Sequence, residues 1–255
     1  MIAATAARVV ERQVLAYRRI WYVFAAGFAE PVLYLLGIGV GVGELVGPIP
    51  GPGGAPVAYD AFVAPGLMAT AAMNGAVLDT TIDFFVKYKY LGTYKAMLAT
   101  PLTPVDVVRG TIGWSMLRTL CYSGAFLLAM VALGLVASPW GLLAVPVALL
   151  LAFSFGAAGV LATTWMRSFI DFDYVQLATV PMFLFSGVFF PLSRYPGWLA
   201  TAIEVTPLYQ GVEVMRRLVL GELAWSMLAR CAYLLVLGLV CLRLAGQRVS
   251  ALLQP

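Results

Sequence analysis

The sequence predicts an all-α integral membrane protein. Its six transmembrane helices are joined by an N-terminal amphipathic interfacial helix and an outer re-entrant helical hairpin between spans five and six. Three observations carry this reading. Of 255 residues, 62% are hydrophobic and only 11% charged, where a soluble domain averages about 45–50% apolar and about 25% charged residues. The mean hydropathy is +0.92. Apolar runs recur along the whole chain, most of them approaching the roughly 20 residues that a helix needs to cross a hydrocarbon core of about 30 Å.

From the N-terminus, residues 1–19 read as the interfacial helix. At about 100° per residue, Arg8, Glu11, Arg12, Arg18 and Arg19 gather on one side. Ile2, Ala6, Val9, Val10, Val14, Tyr17 and Ile20 fall mostly opposite. Such a helix lies among lipid headgroups; the alternative is a plain extension of the first span. The first apolar run, near 20–42, exceeds the roughly 7–15 residues of a signal-peptide core and reads as a retained span. The loop GELVGPIPGPGGAPVAYD at 43–60 is rich in Gly and Pro and has no basic residue, so it reads as an irregular outer connection. Further spans are expected near 61–82, 110–135, 140–164, 174–190 and 223–243, all within one transmembrane domain covering 1–255. Arg230 lies near the start of the last span. Cys121, Cys231 and Cys241 sit inside apolar stretches with no metal or redox spacing and read as packing residues.

Lys and Arg in the connections set the orientation. Arg8, Arg12, Arg18, Arg19, Lys87, Lys89, Lys95, Arg109, Arg167, Arg243 and Arg248 fall on one side. Only Arg194, Arg216 and Arg217 fall on the other. Both termini are therefore expected in the cytoplasm of a multi-pass plasma-membrane protein. The net charge of +4 follows from that bias and gives no sign of a nucleic-acid partner.

Two connections stand out. In 83–110, DFFVKYKYLGTYKAMLATPLTPVDVVRG, a short helix fits from Thr93 to Ala99. Pro101 ends it by disfavouring helix at Thr100. Thr103, Pro104 and Asp106 then make a fresh helix start with a cap, a first-position proline and a first-turn carboxylate. Tyr94, Met97, Leu98 and Leu102 are expected to be exposed there, forming either a docking surface or an ordinary loop on headgroups. In 191–222, two short helices fit, 196–205 and 207–220, with Thr206 as cap and Gly221 as stop. Glu213 and Arg217 stand at the favourable i,i+4 spacing. A hairpin dipping into the outer leaflet accounts for this stretch.

Ionisable groups within spans are costly. Glu30, Asn74, Asp79 and Arg118 either line a path or satisfy interhelical contacts, with snorkelling a further possibility for Asp79 and Arg230. The chain has no histidine and no GxxxxGK[ST], HExxH or GxSxG motif. No catalytic or metal site is therefore expected.

Several stretches in order carry a resemblance: EPVLYLLGIGVGVG at 30–43, YDAFVAPGLMATAAM at 59–73, YKAMLATPLTPVDVV at 94–108, PMFLFSGVFFPLSRYPGWL at 181–199 and TPLYQGVEVMRRLVLG at 206–221. The chain resembles the permeases of type-2 ABC exporters, in the branch of daunorubicin-type drug efflux and nodulation lipo-oligosaccharide export. The resemblance implies a transmembrane subunit without an ATPase site of its own and with no bound cofactor. It pairs with a second permease copy, identical or related, and recruits a cytoplasmic ATPase that holds ATP and Mg. It further implies that 93–102 is a coupling helix, with Tyr94, Lys95, Met97, Leu98, Thr100, Pro101 and Leu102 at the ATPase contact. Spans two and five then line the path, with Met182 and Phe183 on the fifth. The substrate class is hydrophobic or amphipathic: a drug, lipid or lipid-linked saccharide. An ATP-independent secondary transporter is the alternative; it needs inverted repeats and a midplane ion site, and neither is evident.

Overall fold

The computed structural model describes residues 2–17, 33, 35–37 and 41–253. Most of the expected first span at 20–42 lies outside the described residues. Among those described, four helices are long and apolar enough to cross a membrane, and the architecture is that of an all-α membrane protein.

Helix α1 runs Ile2–Tyr17. A single turn at Gly43–Val46 leads into a small ribbon, in which β1 (Ile49–Pro50) pairs antiparallel with β2 (Pro56–Val57). The 43–60 connection is thus more ordered than its Gly/Pro content suggested. Gly54, at φ +84°, closes the turn and donates to Gly51 O at 2.9 Å.

Helix α2 spans Tyr59–Tyr90. It runs beyond the expected 61–82 because nothing in the Lys/Tyr-rich tail stops it until Gly92, which adopts φ +59°. Its second half contains π-helical turns at Asp79–Asp83 and Val86–Tyr90. The short α3 is Thr93–Leu98, and α4 is Pro104–Ala132. Thr103 caps α4 in a reciprocal box: its hydroxyl accepts from Asp106 N at 3.2 Å, and Asp106 Oδ2 accepts from Thr103 N at 3.0 Å.

Helix α5 spans Pro139–Thr163, opening with a 3-10 turn that Ser138 caps. Helix α6 is only Phe172–Phe185, about 21 Å long, so the fifth expected run, 174–190, is helical in part. The reason is local: Gly187 takes φ +69°, and residues 186–188 turn away as a buried non-helical link. Helices α7 (Gly197–Val205) and α8 (Pro207–Leu220) follow, with Thr206 capping α8 and Gly221 ending it at φ +84°. Helix α9 runs Ser226–Leu253, past the expected end at 243.

Helix α5 is central, packed against α2, α4 and α9. Two thirds of the apolar stretch of α2 is buried, against under a quarter of that of α9. Small residues permit the close crossings, as expected where lipid is as apolar as the helices themselves. A Cβ on Gly159 would meet Thr80 Oγ1, and one on Gly238 would lie 2.4 Å from the Phe153 ring. Side chains such as Leu128, Leu142, Leu228 and Val236 project outward from the bundle.

Candidate functional site

Three arrangements stand out. The first surrounds α3. Gly92 and the Thr100–Pro101 pair bound this helix, and Thr100 folds back to donate from Oγ1 to Met97 O at 2.6 Å. Tyr94 and Met97, three residues apart, share the inward face. Tyr94 is 1% exposed and Met97 is buried. This corrects the expectation that both are exposed. They enter an apolar cluster with Val9 of α1, Phe84 of α2, Val107, Val108 and Ile112 of α4, Val160 of α5 and Val249 of α9. The Tyr94 and Phe84 rings lie 4.8 Å apart. Burial pushes the Tyr94 phenol well above its usual range, so it stays neutral. Lys95, Thr100 and Pro101 face outward, and Leu98 and Leu102 are half-buried. The helix is therefore rooted on one side and displayed on the other.

The second arrangement concerns the in-span polar residues. Asp79 and Arg118 come together as an ion pair of 2.6 Å between α2 and α4. Arg118 passes where Gly75 has no side chain, and its guanidinium sits 5.5 Å from the Tyr122 ring. Asp79 opens the first π turn. Thr80 and Thr81 donate to Ala76 O and Val77 O, each at 2.6 Å, and Thr163 donates to Thr80 O at 3.1 Å. The carbonyls loosened by the wider turn thus find donors, as the membrane interior requires. Asn74 is not part of this pair and is exposed. Met182 and Phe183 are half-buried on α6 against the main core, with Phe183 5.3 Å from Phe189. Glu30 lies outside the described residues.

The third arrangement was missed in the sequence. Arg216 on α8, which counts in the charge pattern only as a basic residue of a connection, is 2% exposed. Its Nε donates to Phe62 O at 3.1 Å, and its Nη2 donates to Gly187 O at 2.6 Å and Val188 O at 3.5 Å. The guanidinium stacks 3.6 Å from the Phe62 ring, and Glu213 Oε2 lies 3.6 Å from Nη1. Glu213 also accepts from Arg217 at 2.7 Å. The Glu213–Arg216 i,i+3 spacing was the available signal, but the carbonyl partners are visible only in three dimensions. The same hairpin is tied to α9: Arg230 donates to Gln210 at 2.7 Å and pairs with Glu204 at 3.5 Å, and Tyr233 donates to Val205 O at 2.9 Å. Arg230 therefore reaches into protein contacts.

None of these arrangements assembles a nucleophile with a base. They anchor, pair and position helices. Among the described residues, no group of three or more His, Cys, Asp or Glu side chains could hold a metal ion.

Residues 7–220 match the family model described as ABC-2 type transporter. Nodulation protein J of Rhizobium meliloti (strain 1021) is 30% identical over 220 residues, covering 83% of this chain and 79% of that protein. Nodulation protein J of Rhizobium leguminosarum bv. viciae is 31% identical over 233 residues, covering 87% and 85%. The Neorhizobium galegae protein of the same name is 27% identical over 247 residues, covering 94% and 92%.

Proposed function

The chain belongs to the ABC-2 type transporter family, and we propose that it is the permease subunit of an ATP-driven exporter whose ATPase is a separate cytoplasmic chain. Six spans cross the plasma membrane, with both termini in the cytoplasm and the α7–α8 hairpin re-entering the outer leaflet. Two permease copies pair, and α2 and α6 line a path for a hydrophobic or amphipathic substrate. The pairing has support in α6, where Tyr174, Leu177, Val180 and Leu184 are all exposed among the described residues.

The observation that carries the reading is the build of α3. Tyr94 and Met97 lock it into a cluster reaching α1, α2, α4, α5 and α9, on which Leu102 also packs, while Lys95, Thr100 and Pro101 are exposed and half-buried Leu98 offers an edge to a partner. A partner pressing on that tip moves a rigid element that is continuous with two long helices; a loose loop would absorb the same displacement. ATP and Mg belong to the partner, and this chain contributes the path and the lever.

The test is copurification. The chain is expressed with a candidate phosphate-loop ATPase subunit and captured from detergent. A stable complex that hydrolyses ATP, with no hydrolysis by the permease alone, is the expected result. Substrate movement driven by an ion gradient in the absence of any ATPase would overturn the reading.

A further inference from the structure

A proline-bearing turn of α2 and a break in regular structure after α6 meet at the end of the bundle read as outer. Pro65 sits within the first two turns of the continuous helix α2, where it has no N–H to give Ala61 O. Across from it, the chain leaves α6 at Phe185, and Ser186, its C-cap, leads into a non-helical link through Gly187 and Val188, all three buried. Val188 fills the space beside Gly66, where a Cβ would lie 3.0–3.1 Å from Val188 atoms. Backbone carbonyls in such breaks need donors when water is excluded. Arg216 supplies them to Gly187 O and Val188 O, and at the same time ties that link to Phe62 O of α2. Its planar fork of N–H groups can serve Phe62 O, Gly187 O and Val188 O together, which a lysine ammonium cannot match.

We propose that Arg216 is a positioning residue for export: it fixes the outer ends of the two path-lining helices, α2 and α6, on the hairpin helix α8 and so holds the exit end of the path closed. The inference rests on the exporter reading given above. The three elements meet on one side chain, so they part only when that side chain lets go. Glu213 places a counter-charge 3.6 Å from the guanidinium. The same carboxylate holds Arg217, so the face of α8 is set as a unit.

The experiment uses the permease with its ATPase subunit, in a background with the three native cysteines replaced. Val188→Cys reports on the junction through labelling by a membrane-impermeant maleimide, and export is measured per assembled complex. With Arg216 present, the reporter is protected. Arg216→Met is expected to speed labelling and lower export per complex, each by about tenfold or more, as loss of charge-assisted hydrogen bonds implies. Normal ATPase association is expected throughout, and Arg216→Lys should fall between. Leu208→Ala, which removes a fully buried side chain of the same helix, is the packing control and should change neither readout per complex. If Arg216→Met does not accumulate, Arg216→Lys decides the matter. Protected reporter and normal export in the charge-retaining variant overturn the proposal. So does an equal effect of Leu208→Ala, since that marks general loosening. Failure of the unmutated chain to bind any ATPase instead overturns the exporter reading, and is read before the variants are compared.

Discussion

Asp79 of α2 and Arg118 of α4 meet at 2.6 Å with unequal exposure, the carboxylate sealed at 2% and the guanidinium open at 15%. The pair joins the two helices that flank α3, at the point where α2 changes from α to π geometry. Two charges this dehydrated hold each other in place; either one alone is a liability.

Removing one partner should therefore cost much more than removing both. Asp79→Leu or Arg118→Met alone should destabilise the purified protein by about 3–5 kcal/mol, because each leaves a buried charge uncompensated. The double variant should lose far less than the sum. Thermal unfolding in detergent, read as a double-mutant cycle, measures this. Strictly additive losses would show that the pair has no energetic coupling.

Helix α1 lies against α4 at a glycine. A Cβ at Gly110 would fall 2.4 Å from Val9 Cβ and 3.1 Å from Ala6 O, so backbone as well as side chain must yield. Gly110→Val should lift α1 from its seat at about 1–3 kcal/mol, the usual cost of overpacking. Faster hydrogen exchange across 6–17, with α5 unaffected, is the expected signature. Unchanged protection there would mean that α1 is not held by this contact.

Topology is tested by labelling single cysteines in intact cells. Ala55→Cys in the β1–β2 turn and Arg194→Cys before α7 should react with an impermeant reagent, while Lys95→Cys on α3 should not. Ala55 and Lys95 are exposed, so shielding by the fold does not explain a negative result. Labelling at residue 95 from outside would invert the proposed orientation.

Local chemistry was legible in the sequence wherever a residue acts on its own backbone. The Thr103 cap with Asp106, the stop at Thr100–Pro101, and the Thr206 start and Gly221 end of α8 all stand where the sequence puts them. Hydropathy marks where an apolar run ends and not where a helix ends, so the charged tails of α2 and α9 were cut short. It also could not see that Gly187 turns the chain at positive φ inside an apolar run. The larger gap is tertiary. Whether an apolar residue on a short helix faces in or out depends on what lies behind it, so Tyr94 and Met97 read as exposed. A cation whose partners are backbone carbonyls shows in sequence only as a spacing such as Glu213–Arg216, which does not reveal those carbonyls, and so Arg216 was missed.

The division of labour within α3 gives the last prediction. Tyr94 and Met97 root the helix, Lys95 faces its free side, and Leu98 stands half-buried at the edge of the rooted face. Loss of a rooting side chain leaves the contact surface chemically intact but no longer rigid. Tyr94→Ala removes a large buried ring, a change of about 3–5 kcal/mol by analogy with other aromatic truncations, and α3 should then move independently of α2 and α4. The ATPase should still bind through the displayed residues, yet its strokes should reach the spans weakly: association within a few-fold of normal, hydrolysis continuing, export strongly reduced. Leu98→Asp acts at the half-exposed edge beside the root. A carboxylate placed where a partner's apolar groove must close costs more than the leucine contact contributed, so association itself should fail, while membrane insertion continues because α3 lies outside the apolar spans. Pull-down of the ATPase, ATP hydrolysis and export, measured on both variants beside an Ala55→Asp control, separate the two outcomes. If Tyr94→Ala abolishes association as completely as Leu98→Asp while the protein remains folded, then α3 has no distinct root and tip, and the lever assignment fails.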